Sequence, residues 1–168
     1  MTGVVRAESP ADRADIHALV GACFPTDAEA RLIDSLRAAG RLTISLVAED
    51  EGRILGHVAF SPVTAANGAV GLGLAPVAVA EGFRRRGIAD ELIRRGLAIG
   101  REANRGWVVV LGEPQYYRRF GFQPARDWGL ADEYGGGEAF QALELQPGGL
   151  PRGAGLVRYA PEFAVFAE

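Results

Sequence analysis

Lysine is absent from this chain, and all 18 basic residues are arginine. The protein therefore offers no lysine side chain for modification of itself. A single cysteine, Cys23, excludes an intrachain disulfide and a cysteine-based zinc cluster. With only His17 and His57, a histidine metal centre is not expected either. No apolar run reaches the length of about 18 residues that a membrane-spanning helix needs. The stretch Met-Thr-Gly-Val-Val-Arg-Ala-Glu at residues 1–8 lacks the apolar core of a signal peptide. A soluble, cytoplasmic protein is the expectation. Positive charge is not in excess: the formal net charge of −3 argues against a general nucleic-acid binder.

What is present suffices for a core. The chain has 168 residues, 48% of them hydrophobic, and reads as a single domain over 1–168. Val4 to Ala7 suits a first strand. Ser9-Pro10 reads as an N-cap and first helical proline, opening a helix to about Ala22. Thr26-Asp-Ala-Glu29 matches a capping box, predicting a second helix that stops near Gly40. The period then changes. Leu42 to Ala48, Ile54 to Val63 and Val70 to Val79 read as strands, joined by turns at Asp50-Glu51-Gly52 and Asn67-Gly68. A long helix is predicted from about Gly87 to Asn104, ended by Gly106. Trp107 to Leu111 reads as a buried strand beside a parallel neighbour. A short helix over Pro114 to Phe120 and closing strands at Phe140–Leu145 and Leu156–Tyr159 complete the pattern. Asp127 to Gly137 and Gln146 to Gly155 read as loops. Taken alone, this order supports a mixed α/β domain with a hairpin-rich sheet.

The most informative stretch runs from Leu74 to Ala89: an apolar strand, an arginine-rich turn, a glycine and a helix start. A helix N-terminus leaves backbone N–H groups without partners and carries positive potential. A turn that aims further N–H groups inward makes a phosphate-sized nest. Arg84, Arg85 and Arg86 add charge, and Gly87 lets the backbone approach a ligand closely.

The spacing Arg84-x-x-Gly87-x-Ala89 resembles the Gln/Arg-x-x-Gly-x-Gly/Ala signature of the GNAT superfamily, the acyl-CoA-dependent N-acyltransferases. The element order β-α-α-β-β-β-α-β-α-β-β is similar to the GNAT fold along essentially the whole chain. Three separated segments, Gly56-His-Val-Ala-Phe-Ser-Pro-Val63, Leu74-Ala-Pro-Val-Ala-Val79 and Leu111-Gly-Glu-Pro-Gln-Tyr-Tyr117, resemble the YhbS-like branch. The resemblance implies an α/β (α+β) fold with a central mixed, mostly antiparallel sheet of about six or seven strands. About four helices flank it, and the sheet splays after the fourth strand. It implies that acetyl-CoA is the cosubstrate and that the turn residues Arg84, Arg85, Arg86, Gly87, Ile88 and Ala89 hold its pyrophosphate. Pro76 cannot donate to a ladder. By the same resemblance, backbone groups of Val77, Ala78 and Val79 take the pantetheine arm. An N–H near Val77 or Ala78 would then polarise the thioester carbonyl.

Tyr116-Tyr-Arg-Arg-Phe-Gly-Phe122 resembles the GNAT segment Leu-Tyr-Glu-Lys-Leu-Gly-Phe, which puts Tyr117 at the family tyrosine. A phenol with a pKa of about 10 is protonated at neutral pH, so it can give a proton to a departing CoA thiolate. Tyr117 is thus the candidate general acid, while Tyr116, Phe120 and Phe122 read as packing. The chain departs from the family in carrying Gly112-Glu113-Pro114 where many relatives have an asparagine. The base stays open between Glu113, Glu29 and a water relay. His57 reads as a core histidine, with a place near the acceptor amine as the alternative. Cys23 reads as packing. Arg94, Arg95 and Arg101 read as a solvated face interleaved with Asp90, Glu91 and Glu102.

The function expected is acyl transfer to a primary amine by direct attack in a ternary complex. The alternative is an acyl-CoA-binding regulatory module without catalysis. The acceptor, whether a small molecule or a peptide, is not legible. Neither nucleic acid nor membrane is an expected partner, and the chain is expected as a monomer or homodimer.

Overall fold

The Asp50–Arg53 hairpin sets the register of the first part of the sheet. Its two loop residues, Glu51 (φ 51°) and Gly52 (φ 76°), are both left-handed, the turn geometry that matches strand twist. The computed structural model describes residues 3–167. Among these are nine strands and four α-helices in the order β1 (Val4–Ala7), α1 (Arg13–Cys23), α2 (Ala28–Ala38), β2 (Ile44–Asp50), β3 (Arg53–Ala65), β4 (Val70–Val79), α3 (Ile88–Glu102), β5 (Trp107–Leu111), α4 (Pro114–Arg118), β6 (Gln123–Pro124), β7 (Leu130–Asp132), β8 (Phe140–Glu144) and β9 (Gly155–Arg158). The strands follow the order β1-β2-β3-β4-β5-β8-β6, with β9 beside β3 and β7 beside β9.

The chain packs as two compact units. The first comprises residues 1–60, 76–96 and 161–168. Within it β1, β2 and β3 pair antiparallel, with a bulge between Ala48 and Glu49. One face packs on α1 and α2 through Ile16, Val20, Ala30, Ile33, Val47 and Ala78. Toward α3 the strand must be smooth. A Cβ on Gly56 would stand 2.9 Å from Ile88 Cγ2, and one on Gly96 would stand 2.2 Å from the Phe60 ring. The segment Pro161–Ala167 is anchored by Glu162, which accepts from Arg41 Nε at 2.7 Å.

The second unit comprises residues 61–75 and 97–160. Here β5, a run of Trp-Val-Val-Val-Leu, pairs parallel with β4 at Leu72↔Val108 and Gly73↔Val109 and antiparallel with β8 along its full length. That parallel register stands N-terminal to Pro76, where the splay is expected. Gly71 and Gly73 leave room for the rings of Trp107 and Tyr159, which an added Cβ would approach to 2.5 and 2.7 Å.

Several details correct the sequence reading. Two strands of two and three residues, β6 and β7, join the seven expected, and β7 lies inside the stretch read as a loop from Asp127 to Gly137. Thr26 and Glu29 do not form a capping box. The Thr26 hydroxyl accepts from Ala28 N–H at 3.2 Å and Asp27 is the N-cap. Reciprocal capping occurs earlier, where the Asp12 carboxylate accepts from Ser9 N–H at 2.7 Å. Helix α3 ends at Glu102, two residues before the expected Asn104, and the left-handed residue that terminates it is Asn104 rather than Gly106. Asn104 is left-handed (φ 61°), and the N–H groups of Asn104 and Arg105 bond back to Arg101 and Gly100.

Candidate active site

The arginine turn is built by three left-handed residues. Gly82 (φ 90°), Arg85 (φ 65°) and Gly87 (φ 80°) reverse the chain between β4 and α3. Phe83 N–H closes the first bend on Ala80 O at 3.0 Å, and Glu91 N–H makes the opening bond of α3 to Gly87 O at 3.0 Å. Nothing stands within 4 Å of the place a Cβ on Gly87 would occupy, so the approach to the helix N-terminus is open. Arg84, Arg85 and Arg86 are exposed, whereas Ile88 turns its side chain into the core beside Gly56. Ile88 therefore offers the site backbone only. Among the described residues none of the three arginines forms an ion pair.

Immediately before the turn, Pro76 and Ala78 are buried, while Val77 and Val79 are half-buried. The Val79 carbonyl accepts from Arg84 Nε at 3.0 Å and from Cys23 Sγ at 3.4 Å. Cys23 thus closes the C-terminus of α1 onto the site strand, a role beyond simple packing. Glu29 lies in the first turn of α2, half-buried.

The tyrosine helix lies in the second unit. Glu113 is its N-cap: its carboxylate accepts from Gln115 N–H at 3.4 Å, and Pro114 takes the first helical position. Tyr117 stands in an aromatic cage. Its ring meets Tyr116 edge-on at 5.0 Å and Phe122 at 5.8 Å, with Phe120 at 6.1 Å. This burial pushes the Tyr117 phenol above its ordinary range, so it stays protonated throughout the neutral range. Gly112 fixes the ring from below, since a Cβ there would stand 2.4 Å from Tyr117 Cε2. The tripeptide Gly112-Glu113-Pro114, legible in sequence as a departure, is therefore a seat, a cap and a helix start for this tyrosine.

His57 is fully buried, as a core histidine. Its Nε2 lies 2.8 Å from Ser45 Oγ, and that hydroxyl donates to Glu8, which is ion-paired to Arg37 Nε at 2.8 Å. Burial holds the His57 pKa down at about 4, with the Arg37 charge adding to it and Glu8 opposing. No sequence signal marked Ser45 or Glu8.

Residues 41–124 match the family described as Acetyltransferase (GNAT) domain. The uncharacterized N-acetyltransferase YhbS of Escherichia coli K12 is 42% identical over 166 residues, covering 97% of this chain and 99% of that protein.

The chain belongs to the GNAT acetyltransferase family.

A crystal structure of E. coli YhbS in complex with CoA superposes with a TM-score of 0.90 at 41% identity, covering 96% of this chain and 91% of that one. A GNAT acetyltransferase from Brucella melitensis in complex with acetyl-CoA gives a TM-score of 0.80 at 39% identity, covering 96% and 97%. Membership makes this an acyl-CoA-dependent acyltransferase, and the mixed, mostly antiparallel sheet is the GNAT sheet. Among the described residues no cluster of His, Cys, Asp and Glu is placed to hold a metal, and no helix is long and apolar enough to cross a membrane.

Proposed function

We propose that this GNAT protein moves an acetyl or short acyl group from acetyl-CoA to a primary amine by direct attack. The observation that carries the reading is the turn: three left-handed residues lead into an open helix N-terminus beside three exposed arginines, none of which forms an ion pair among the described residues. That is a site for a polyanion, and the pyrophosphate of CoA is one. Backbone groups of residues 84–89 take the pyrophosphate, and those of Val77 and Ala78 take pantetheine and the thioester oxygen. Arg84 Nε, now on Val79 O, is free to turn to the anion, which would release that carbonyl to the pantetheine arm.

The amine nitrogen attacks the thioester carbon, and the C–S bond breaks as the tetrahedral intermediate collapses. The sulfur leaves with the electron pair and takes the phenolic proton of Tyr117. The amine loses its proton to water or to a nearby carboxylate, with Glu113 the candidate base beside the tyrosine. Much of the acceleration is positional, because holding amine and carbonyl together removes the entropy of meeting. Raising the phenol pKa weakens Tyr117 as an acid but guarantees that it carries the proton.

The test is a panel of amines with thiol detection on wild type and Tyr117→Phe. We expect about a hundredfold lower turnover in the variant, with acetyl-CoA affinity unchanged by calorimetry. Equal turnover at saturating substrates would remove Tyr117 from the mechanism. Acetyl-CoA binding with no thiol release for any amine would leave an acyl-CoA-binding module instead.

A further inference from the structure

Phe83, in the arginine turn, carries two cations. The guanidinium carbon of Arg86 stands 5.2 Å from the ring centroid, and that of Arg53, from the start of β3, also stands at 5.2 Å. The two charges are therefore held no more than about 10 Å apart, within roughly one screening length. Both arginines are exposed, and among the described residues neither forms an ion pair. Arg53 also lines an open groove of about 470 Å³ with Gly52, Ile54, Leu19, Ala18 and Asp15, yet no ion pair joins it to Asp15. Two like charges converging on one aromatic without a counter-anion repel each other, and a dianion between them would reverse the sign of the local interaction.

Resting on the CoA reading above, we infer that Arg53, Phe83 and Arg86 form the seat for the 3′-phosphate monoester of CoA. The assignment follows from the kind of donor. The nest at residues 84–89 offers backbone N–H groups in a concavity, which suits a pyrophosphate buried against a helix end. The Arg53–Arg86 pair offers two guanidinium forks on an exposed rigid platform, which suits the two charges and three oxygens of a phosphate monoester. CoA carries one such group. Arg53 comes from a different strand, so it adds a contact that the turn alone cannot make and sets a preference for CoA over its dephosphorylated form.

Calorimetric titrations of wild type, Arg53→Ala and Arg53→Glu with CoA and with dephospho-CoA at one ionic strength test this. Arg53 is exposed and outside the ion-pair networks, so both variants are expected to fold. Wild type should prefer CoA by about tenfold, the scale of one charge-assisted contact. Arg53→Ala should shrink that preference to about twofold or less, and Arg53→Glu should remove or invert it, with dephospho-CoA affinity nearly constant throughout. Repeating the wild-type dephospho-CoA titration with added inorganic phosphate separates a cofactor subsite from a general phosphate site, since only the latter lets free phosphate restore affinity. The inference is overturned if Arg53→Ala keeps the wild-type preference, if it weakens both ligands equally, or if free phosphate substitutes. Equal wild-type affinity for the two ligands overturns this inference and leaves the acyltransferase reading standing. Failure of wild type to bind either ligand ends both.

Discussion

His57 makes stability fall as pH falls, and the loss begins well above the range in which the carboxylates titrate. In the folded chain its pKa is held at about 4, against an ordinary value of 6.5. Burial favours the neutral ring, and the hydrogen-bond chain fixes which nitrogen carries the proton. Ser45 gives its hydroxyl proton to Glu8 and so accepts from His57 Nε2–H. Nδ1 has no partner among the described residues. Since the folded pKa is depressed, the unfolded chain binds the extra proton first. The stabilisation is complete above the unfolded pKa and is lost as pH falls from there toward the folded one. The whole effect is about 3 kcal/mol, of which about 2.5 disappears between roughly pH 7.5 and pH 4.5. Asp12, held well below the carboxylate range by Arg6, adds stability that is lost only at lower pH. Urea unfolding followed by tryptophan fluorescence across that window, in wild type and His57→Gln, isolates the histidine. The variant should be less stable at neutral pH and markedly flatter in its pH dependence. Parallel slopes in the two proteins would refute the assignment of a neutral, desolvated ring.

Further outcomes follow from packing and helix termination. Gly112→Ala drives a methyl into the Tyr117 ring and should lower turnover about as far as Tyr117→Phe, with acetyl-CoA affinity retained; unchanged steady-state kinetics would show that the ring position is immaterial. Asn104→Ala places an ordinary side chain at φ 61° and should cost about 1 kcal/mol in urea unfolding. Asn104→Gly should cost little or nothing.

Much of this was legible. The Asn67-Gly68 turn forms as read, with Gly68 left-handed (φ 88°) and Asn67 Oδ1 accepting from Ala69 N–H at 3.0 Å. The arginine turn between β4 and α3 was legible as a turn because arginine, glycine and a helix start are consecutive in sequence. What escaped was either too short or too far apart. Strands of two and three residues carry no period to detect. Thr26-x-x-Glu29 satisfied the capping pattern, but the N-cap position falls one residue later, at Asp27, whose carboxylate accepts from Arg31 Nε instead of from the helix backbone. The chain His57–Ser45–Glu8–Arg37 joins β3, β2, the loop after β1 and α2 through contacts that only the folded sheet creates. The same is true of Arg53 meeting Phe83.

The glycines have a further consequence for how this sequence can drift. Gly96 accommodates Phe60, Gly71 accommodates Trp107, Gly73 accommodates Tyr159 and Gly112 accommodates Tyr117. In each couple the ring occupies the volume that a methyl on the glycine would need. Neither member can change alone: enlarging the glycine meets the ring, and shrinking the ring leaves a void. Substitutions at these places are therefore epistatic, tolerated as exchanges and penalised as single steps. Tyr117, tied to Gly112 in this way, carries a constraint from packing that is independent of any chemistry proposed for its hydroxyl.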